Sequence, residues 1–257
     1  MKGIVFDCDG VLADTERYGH LPAFNQAFAE LGAPLHWSEE YYALKLQVAG
    51  GKERMASDLT PELVQAHDLP TDSRGQADLV AGWHERKTQI YTEMVAAGKL
   101  PPRPGIARIF AEAQDAGWKL AVASTSAEPS VRAILEHAVG TGRAARIDAL
   151  LAGDCVARKK PAPDIYLLAL ERLRLQPEQV LVVEDSRIGL DAAVAAGLRC
   201  LVTVNGYTEH EDFSQAALVV SSLGDPDGER SVVIANRSAA RPGAYLTLTD
   251  LEACLDS

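Results

Sequence analysis

Near its start the chain runs an apolar stretch, Ile4-Val5-Phe6, straight into Asp7-Cys8-Asp9-Gly10. No other feature limits the fold so tightly. A short apolar run that ends in acids and a glycine reads as a strand buried on both faces, the kind found in a parallel sheet. Alternation along a strand puts residues i and i+2 on one side. Asp7 and Asp9 can therefore converge on one centre, and Gly10 lets the chain turn sharply away. Two carboxylates gathered at the carboxyl end of such a strand invite a divalent cation and suit nucleophilic or acid/base chemistry.

The sheet that this strand needs lies far along the chain. Beyond Pro101-Pro102-Arg103-Pro104-Gly105, helical and apolar stretches alternate. Helices are expected at 106–116, 129–137, 164–173 and 188–196, and strands at 119–123, 149–152, 180–183, 200–204 and 217–220. This rhythm predicts an α/β fold, a Rossmann-like parallel sheet wrapped by helices. Between the first strand and the rest the texture is helical. Leu21, Phe24, Phe28 and Leu31 recur at helical spacing with Gly32 as a stop, Tyr41 to Leu46 form a second helix broken at Gly50-Gly51, and a third runs from Ser73 to Ala97. Residues 16–100 are thus expected as an all-helical cap domain, inserted into a discontinuous core of residues 1–15 and 101–257. The last thirty residues, to which no role is assigned, are expected to add an edge strand and a final helix capped by Thr249 or Asp250.

Composition narrows the function classes. A chain of 257 residues can bury a substantial core. A net charge of −11 argues against nucleic acid as the main partner. No apolar run reaches the roughly 18 residues that would span a bilayer, so no membrane partner is expected. With a strand starting at residue 3, no targeting peptide is expected ahead of it. Cys8, Cys155, Cys200 and Cys254 show no CxxC spacing and read as free thiols in a reducing compartment. A cytoplasmic monomer is the expectation.

Ligands of open parallel sheets gather at the carboxyl ends of the strands. After 119–123 come Ser124-Thr125-Ser126; before the helix at 164 come Arg158-Lys159-Lys160-Pro161; after 180–183 come Glu184-Asp185-Ser186. Acids, hydroxyls and a cation therefore meet on one rim. That inventory suits phosphoryl transfer: an Asp nucleophile, a second carboxylic acid to move the proton, a hard cation, and Lys and hydroxyl groups for the phosphate oxygens. Each piece also has a plainer use. Glu184-Asp185 could cap a helix, Ser126 could in part do the same, and charge alone does not separate Lys159 from Lys160.

The motifs "VFDCDG" at 5–10, "VAST" at 122–125, "KKP" at 159–161 and "VVEDS" at 182–186 resemble those of the haloacid dehalogenase superfamily of aspartate-dependent phosphatases. The resemblance implies Asp7 as nucleophile and Asp9 as general acid/base. Ser124 would hold the phosphoryl group, and Lys160, directly before Pro161, would bridge nucleophile and phosphate. Mg²⁺ would be bound by Asp7, Asp185, Glu184 and the backbone carbonyl of Asp9, and the cap would close as a lid. One departure is Val11, where many relatives carry Thr. Further blocks, "GGKERM" at 50–55, "ERKTQIY" at 85–91, "RPG" at 103–105, "KKPAPDIY" at 159–166 and "GYTEHEDF" at 206–213, look like CbbY-type proteins. That resemblance implies dephosphorylation of xylulose 1,5-bisphosphate to xylulose 5-phosphate, in association with carbon fixation.

The cap suits a substrate with two phosphates. Gly50-Gly51, read as ending a helix and exposing N–H groups, leads into Lys52 and Arg54, which could grip a non-reacting phosphate; an exposed helix face is the other reading. Lys87 and His84 lie in the same domain, and Glu16 could hydrogen-bond a sugar hydroxyl. Thr125 and Ser126 join this substrate-binding set. Two alternatives within the family are a phosphosugar mutase of the β-phosphoglucomutase type, disfavoured by Ala127 where mutases carry Lys, and a broader sugar-phosphate phosphatase.

Overall fold

The computed structural model describes residues 1–48 and 50–256. The chain divides into two compact units, Met1–Asp14 with Leu100–Ser257, and Thr15–Lys99.

The first strand, β1 (Gly3–Phe6), is buried throughout. The helical unit follows. A short π-helical stretch, Glu16–His20, leads into α1 (Leu21–Glu30), then α2 (Glu39–Lys45), α3 (Gly51–Ala56), α4 (Pro61–Ala66) and α5 (Ser73–Ala96). Ser38, Thr60 and Asp72 cap α2, α4 and α5 by accepting from the backbone N–H of Tyr41, Leu63 and Gly75. An aromatic core holds the unit together. Trp37 packs on Phe24 and Phe28 at centroid distances of 4.7 and 5.1 Å, and Trp83 meets Phe28 edge-on at 5.9 Å.

Two expectations change here. Gly50 and Gly51 do not end a helix. The preceding helix stops at Lys45; Gly50, at φ 94°, is the N-cap of α3, and Gly51 is its first residue. The positive φ that reads as a stop serves as a start, because the Lys-Glu-Arg-Met-Ala run behind it favours helix. The helix α4 was not expected; its signal is Thr60 before Pro61, a cap and a proline at N1.

In the α/β unit the elements are α6 (Ile106–Asp115), β2 (Lys119–Ala123), α7 (Glu128–Val139), α8 (Thr141–Ala144), β3 (Ala149–Leu151), α9 (Asp164–Leu173), β4 (Val180–Glu184), α10 (Arg187–Ala195), β5 (Arg199–Thr203), β6 (Leu218–Val220), β7 (Val233–Asn236) and α11 (Leu248–Ala253). The sheet runs β3-β2-β1-β4-β5-β6-β7. All neighbours pair in parallel except β7, which lies antiparallel on β6. The first strand sits in the middle, with Val5 beside Ala121 on one flank and Val182 on the other. The order reverses between β1 and β4. Such a reversal opens a crevice at the carboxyl ends of the two strands.

The pleat divides the core. Val5, Val182 and Val202 pack with Ile165, Tyr166 and Ala169 of α9 and Leu190, Ala192 and Ala193 of α10. Phe6, pointing the other way, stacks on Phe110 of α6 with centroids 5.5 Å apart. Each such large side chain contributes roughly 1.5–3 kcal/mol by leaving water. The chain ends as part of this unit: Leu246, Leu251 and Cys254 are buried, and α11 packs on α6. Its cap is Thr247, with Asp250 at N3 completing a capping box, so neither Thr249 nor Asp250 is the N-cap. Nor does Ser126 cap α7, whose N-cap is Ala127 with no side-chain capping bond. All four cysteines are free; Cys8, Cys200 and Cys254 are buried and Cys155 is exposed. Among the described residues no helix is long and apolar enough to cross a membrane.

Candidate active site

The crevice between β1 and β4 is lined with acids. Asp7 follows β1 directly, and its backbone N–H donates to the Val183 carbonyl at 2.9 Å, which locks the loop to the neighbouring strand. Glu184 is the last residue of β4 and Asp185 comes next. Asp7, Glu184 and Asp185 are all buried, and each offers a carboxylate oxygen within 4.8 Å of the others. The side chain of Lys160 is only 8% exposed and joins two of them. Its ammonium donates to Asp7 Oδ1 at 2.6 Å, to Glu184 Oε1 at 2.7 Å and to the Ala123 carbonyl at 3.0 Å. Burial pushes the Lys160 pKa down, but Asp7 and Glu184 outweigh it and hold the ammonium above the ordinary lysine value. Burial, helped by Glu184 and Asp9, pushes Asp7 up to about 8 against the pull of Lys160. Asp185 is raised by burial, then by Glu184 and Asp7.

Asp9 turns to a different set of partners. Its Oδ2 accepts from Ser126 Oγ at 2.6 Å and from Ser124 Oγ at 3.3 Å, while the Ser126 N–H donates to Ser124 Oγ at 3.0 Å. The loop after β2 thus grips the second acid, and Lys160 grips the first. Thr125, between the two serines, is exposed. Lys159 pairs with Asp154 at 2.9 Å on the surface, which leaves Lys160 as the cation in the crevice.

Three residues with no role assigned from sequence support these acids. The hydroxyl of Tyr166 donates to Glu184 Oε1, the oxygen that Lys160 also uses. Asn205 Nδ2 donates to Asp185 Oδ2 at 2.8 Å. Arg103 gives its two terminal nitrogens to four backbone carbonyls, those of Gly10, Thr203, Val204 and Ser221. Arg103 opens the Arg103-Pro104-Gly105 segment, whose spacing carries no sign of these contacts.

The remaining site candidates lie in the helical unit, where most form linked pairs. The Tyr42 hydroxyl donates to Glu16 Oε2 at 2.5 Å and accepts from Arg54 Nη1 at 3.2 Å, and Arg54 Nε donates to the Val48 carbonyl at 2.9 Å. Lys87 Nζ lies 2.8 Å from His20 Nδ1 and over the rings of Phe24 and Tyr91. Burial, with Lys87 and Arg54, holds His20 well below the ordinary histidine value. That keeps the ring neutral, with Nδ1 free to accept from the ammonium. His84 packs against Gly51, where an added Cβ would stand 2.8 Å from its Nε2. Lys52 is exposed and, with Glu53, Ala56 and Val80, lines a cavity of about 320 Å³ between α3 and α5.

Known proteins carry the same pattern. A family model described as haloacid dehalogenase-like hydrolase matches residues 1–197. The chain belongs to the haloacid dehalogenase-like hydrolases. It is 43% identical to a CBBY-like protein of Arabidopsis thaliana, over 89% of this chain and 71% of that one. It is 44% identical to the plasmid-encoded CbbY of Cupriavidus necator, over 88% of this chain and 87% of that one. Among solved structures, an Asp-to-Asn variant of CbbY from Rhodobacter sphaeroides, in complex with xylulose-(1,5)bisphosphate, aligns at a TM-score of 0.69 and 41% identity, covering 89% of this chain and 97% of that one. This hydrolase is a phosphatase of the family, similar to CbbY.

The acid cluster fits a hard cation. Its donors are all oxygens: among the described residues the buried acids Asp7, Glu184 and Asp185 come together, and Lys160 pairs with two of them. A divalent cation in the crevice would offset the negative charge that Asp7 and Asp185 otherwise shed by holding protons.

Proposed function

We propose that this hydrolase is a Mg²⁺-dependent sugar-phosphate phosphatase that converts xylulose 1,5-bisphosphate to xylulose 5-phosphate through an aspartyl-phosphate. One observation carries the chemistry. Two acids two residues apart are held by separate partners, Asp7 by Lys160 and Asp9 by Ser124 and Ser126. They can therefore take separate roles.

In the first step a carboxylate oxygen of Asp7 attacks the phosphorus, the bond to the sugar oxygen breaks, and Asp9 hands that oxygen its proton. In the second, a water attacks the phosphorus of the acyl phosphate, Asp9 takes the water's proton, and the Asp7 carboxylate leaves with inorganic phosphate released. Lys160, fixed between Asp7 and Glu184, keeps the nucleophile aimed and offers charge to the phosphate oxygens. Ser124 Oγ would take up a phosphate oxygen. Asp7, Asp185, Glu184 and the Asp9 carbonyl would hold the cation, whose positive charge offsets that of the phosphoryl group and the acids.

Substrate choice falls to the helical unit on this reading. Arg54, Lys87 and Lys52 supply cations for a second phosphate, and Glu16 supplies an acceptor for a sugar hydroxyl. The bisphosphate seen with a 41% identical CbbY supports this choice. Binding energy from the remote phosphate can orient the reacting end.

Steady-state assays should give xylulose 5-phosphate and inorganic phosphate in equal amounts, with kcat/KM far above that for a generic phosphate monoester. Equal kcat/KM values would refute the substrate assignment and leave a broader phosphatase. Conversion of β-glucose 1-phosphate to the 6-phosphate in the presence of a bisphosphate primer would replace the reading with a mutase.

A further inference from the structure

Arg103 stands just after the chain returns from the helical unit, and it lies among backbone carbonyls. Nη1 donates to Gly10 O at 2.5 Å and Thr203 O at 2.9 Å; Nη2 donates to Val204 O at 2.7 Å and Ser221 O at 2.6 Å. Its backbone N–H adds a bond to Leu12 O at 2.9 Å. One side chain thus ties the loop after β1 to the loops after β5 and β6. Two of those loops bear directly on the acids. Gly10 is the residue after Asp9, at φ 82°, and a Cβ there would stand 2.0 Å from Asp185 Oδ2. Asn205, the residue after Val204, donates to that same Asp185 oxygen.

A surface residue could make a structural tie of this kind, but this one brings its charge inside. Burial lowers the Arg103 pKa, and the opposing pull comes first from Asp185 and then from Asp14. A guanidinium's planar fork can serve four acceptors from two nitrogens; a lysine has one nitrogen and a different shape.

We propose that Arg103 is a positioning residue for the reaction, fixing the Asp9–Gly10 turn and the Asn205–Asp185 pair in mutual register so that proton transfer by Asp9 is aligned. This rests on the phosphatase reading above.

The test compares two esters whose leaving groups differ in their need for an acid. A sugar oxygen leaves poorly without a proton, whereas p-nitrophenolate leaves readily. Arg103→Lys and Arg103→Gln, assayed well below their melting temperatures, should lose on the order of a hundredfold in kcat on the sugar phosphate. They should lose much less on p-nitrophenyl phosphate and keep the sugar-phosphate KM close to that of the wild type. Low millimolar guanidinium, far below denaturing levels, should restore part of the sugar-phosphate activity to Arg103→Ala. Equal losses on both esters, or losses that only follow the folded fraction in a melt, would make Arg103 purely structural and overturn the proposal. So would wild-type kcat in a folded Arg103→Gln. Asp7→Asn run alongside separates the two claims. If that variant still turns over either ester, the phosphatase mechanism itself fails, whatever Arg103 does.

Discussion

A glycine marks how closely the residues of the acid crevice are fitted. Gly189, near the start of α10, lies where a Cβ would stand 2.0 Å from the Glu184 carboxyl carbon and 2.1 Å from both its oxygens. Gly189→Ala must therefore move the carboxylate that holds Lys160 and Tyr166. The variant should lose on the order of a hundredfold in kcat and about 1–3 kcal/mol of stability, read by steady-state kinetics and denaturant unfolding. Unchanged kcat would mean that the position of Glu184 is not critical. At this scale the sequence was partly legible. Asp7, Asp9 and Asp185 stand out because each lies just past a strand end, whereas Lys160, nine residues beyond β3, is set apart from Lys159 only by its place before Pro161. Ser126, expected in the substrate-binding set, lies on the expected rim, and its hydroxyl donates to Asp9. Arg103, Tyr166 and Asn205 gave no local signal, because each acts on groups brought close only by the fold.

At the scale of elements, the strands were read almost to the residue, since buried parallel strands are written as bare apolar runs. Helix starts were harder. The Gly50-Gly51 pair reads as a terminus but opens α3, and the final helix is capped at Thr247, two or three residues before the expected Thr249 or Asp250. That last case gives a prediction. Thr247 accepts from the Asp250 N–H, and Asp250 Oδ2 accepts in return from the Thr247 N–H. Thr247→Ala should cost about 1 kcal/mol of stability and leave kcat intact, measured by a thermal melt and a parallel assay. A drop in kcat would show that the last helix supports the site, which its place on α6 does not suggest.

For the molecule as a whole, the acid cluster couples stability to pH. Without a divalent cation, Asp7 in the folded chain keeps its proton up to about pH 8, whereas its ordinary value is 3.8. Between those values the folded state binds more protons than the unfolded one, so stability falls as pH rises. The raised Asp185 acts in the same direction. Chelator-treated protein should thus be a few kcal/mol less stable to urea at pH 8 than at pH 5. Added Mg²⁺ should stabilise it more at pH 8 than at pH 5. A metal-free stability that is flat across this range would contradict the buried-acid account. The sheet order has a consequence of another kind, for synthesis on the ribosome. Gly3 of β1 pairs with Lys119 on one side and Val180 on the other. At 5–20 residues per second, on the order of ten seconds pass between translation of the strand and translation of its second partner. Until then β1 keeps an open edge, while residues 15–99, a compact unit of their own, are free to fold first. Asp7, the proposed nucleophile, is thus made well before the strand that completes its surroundings.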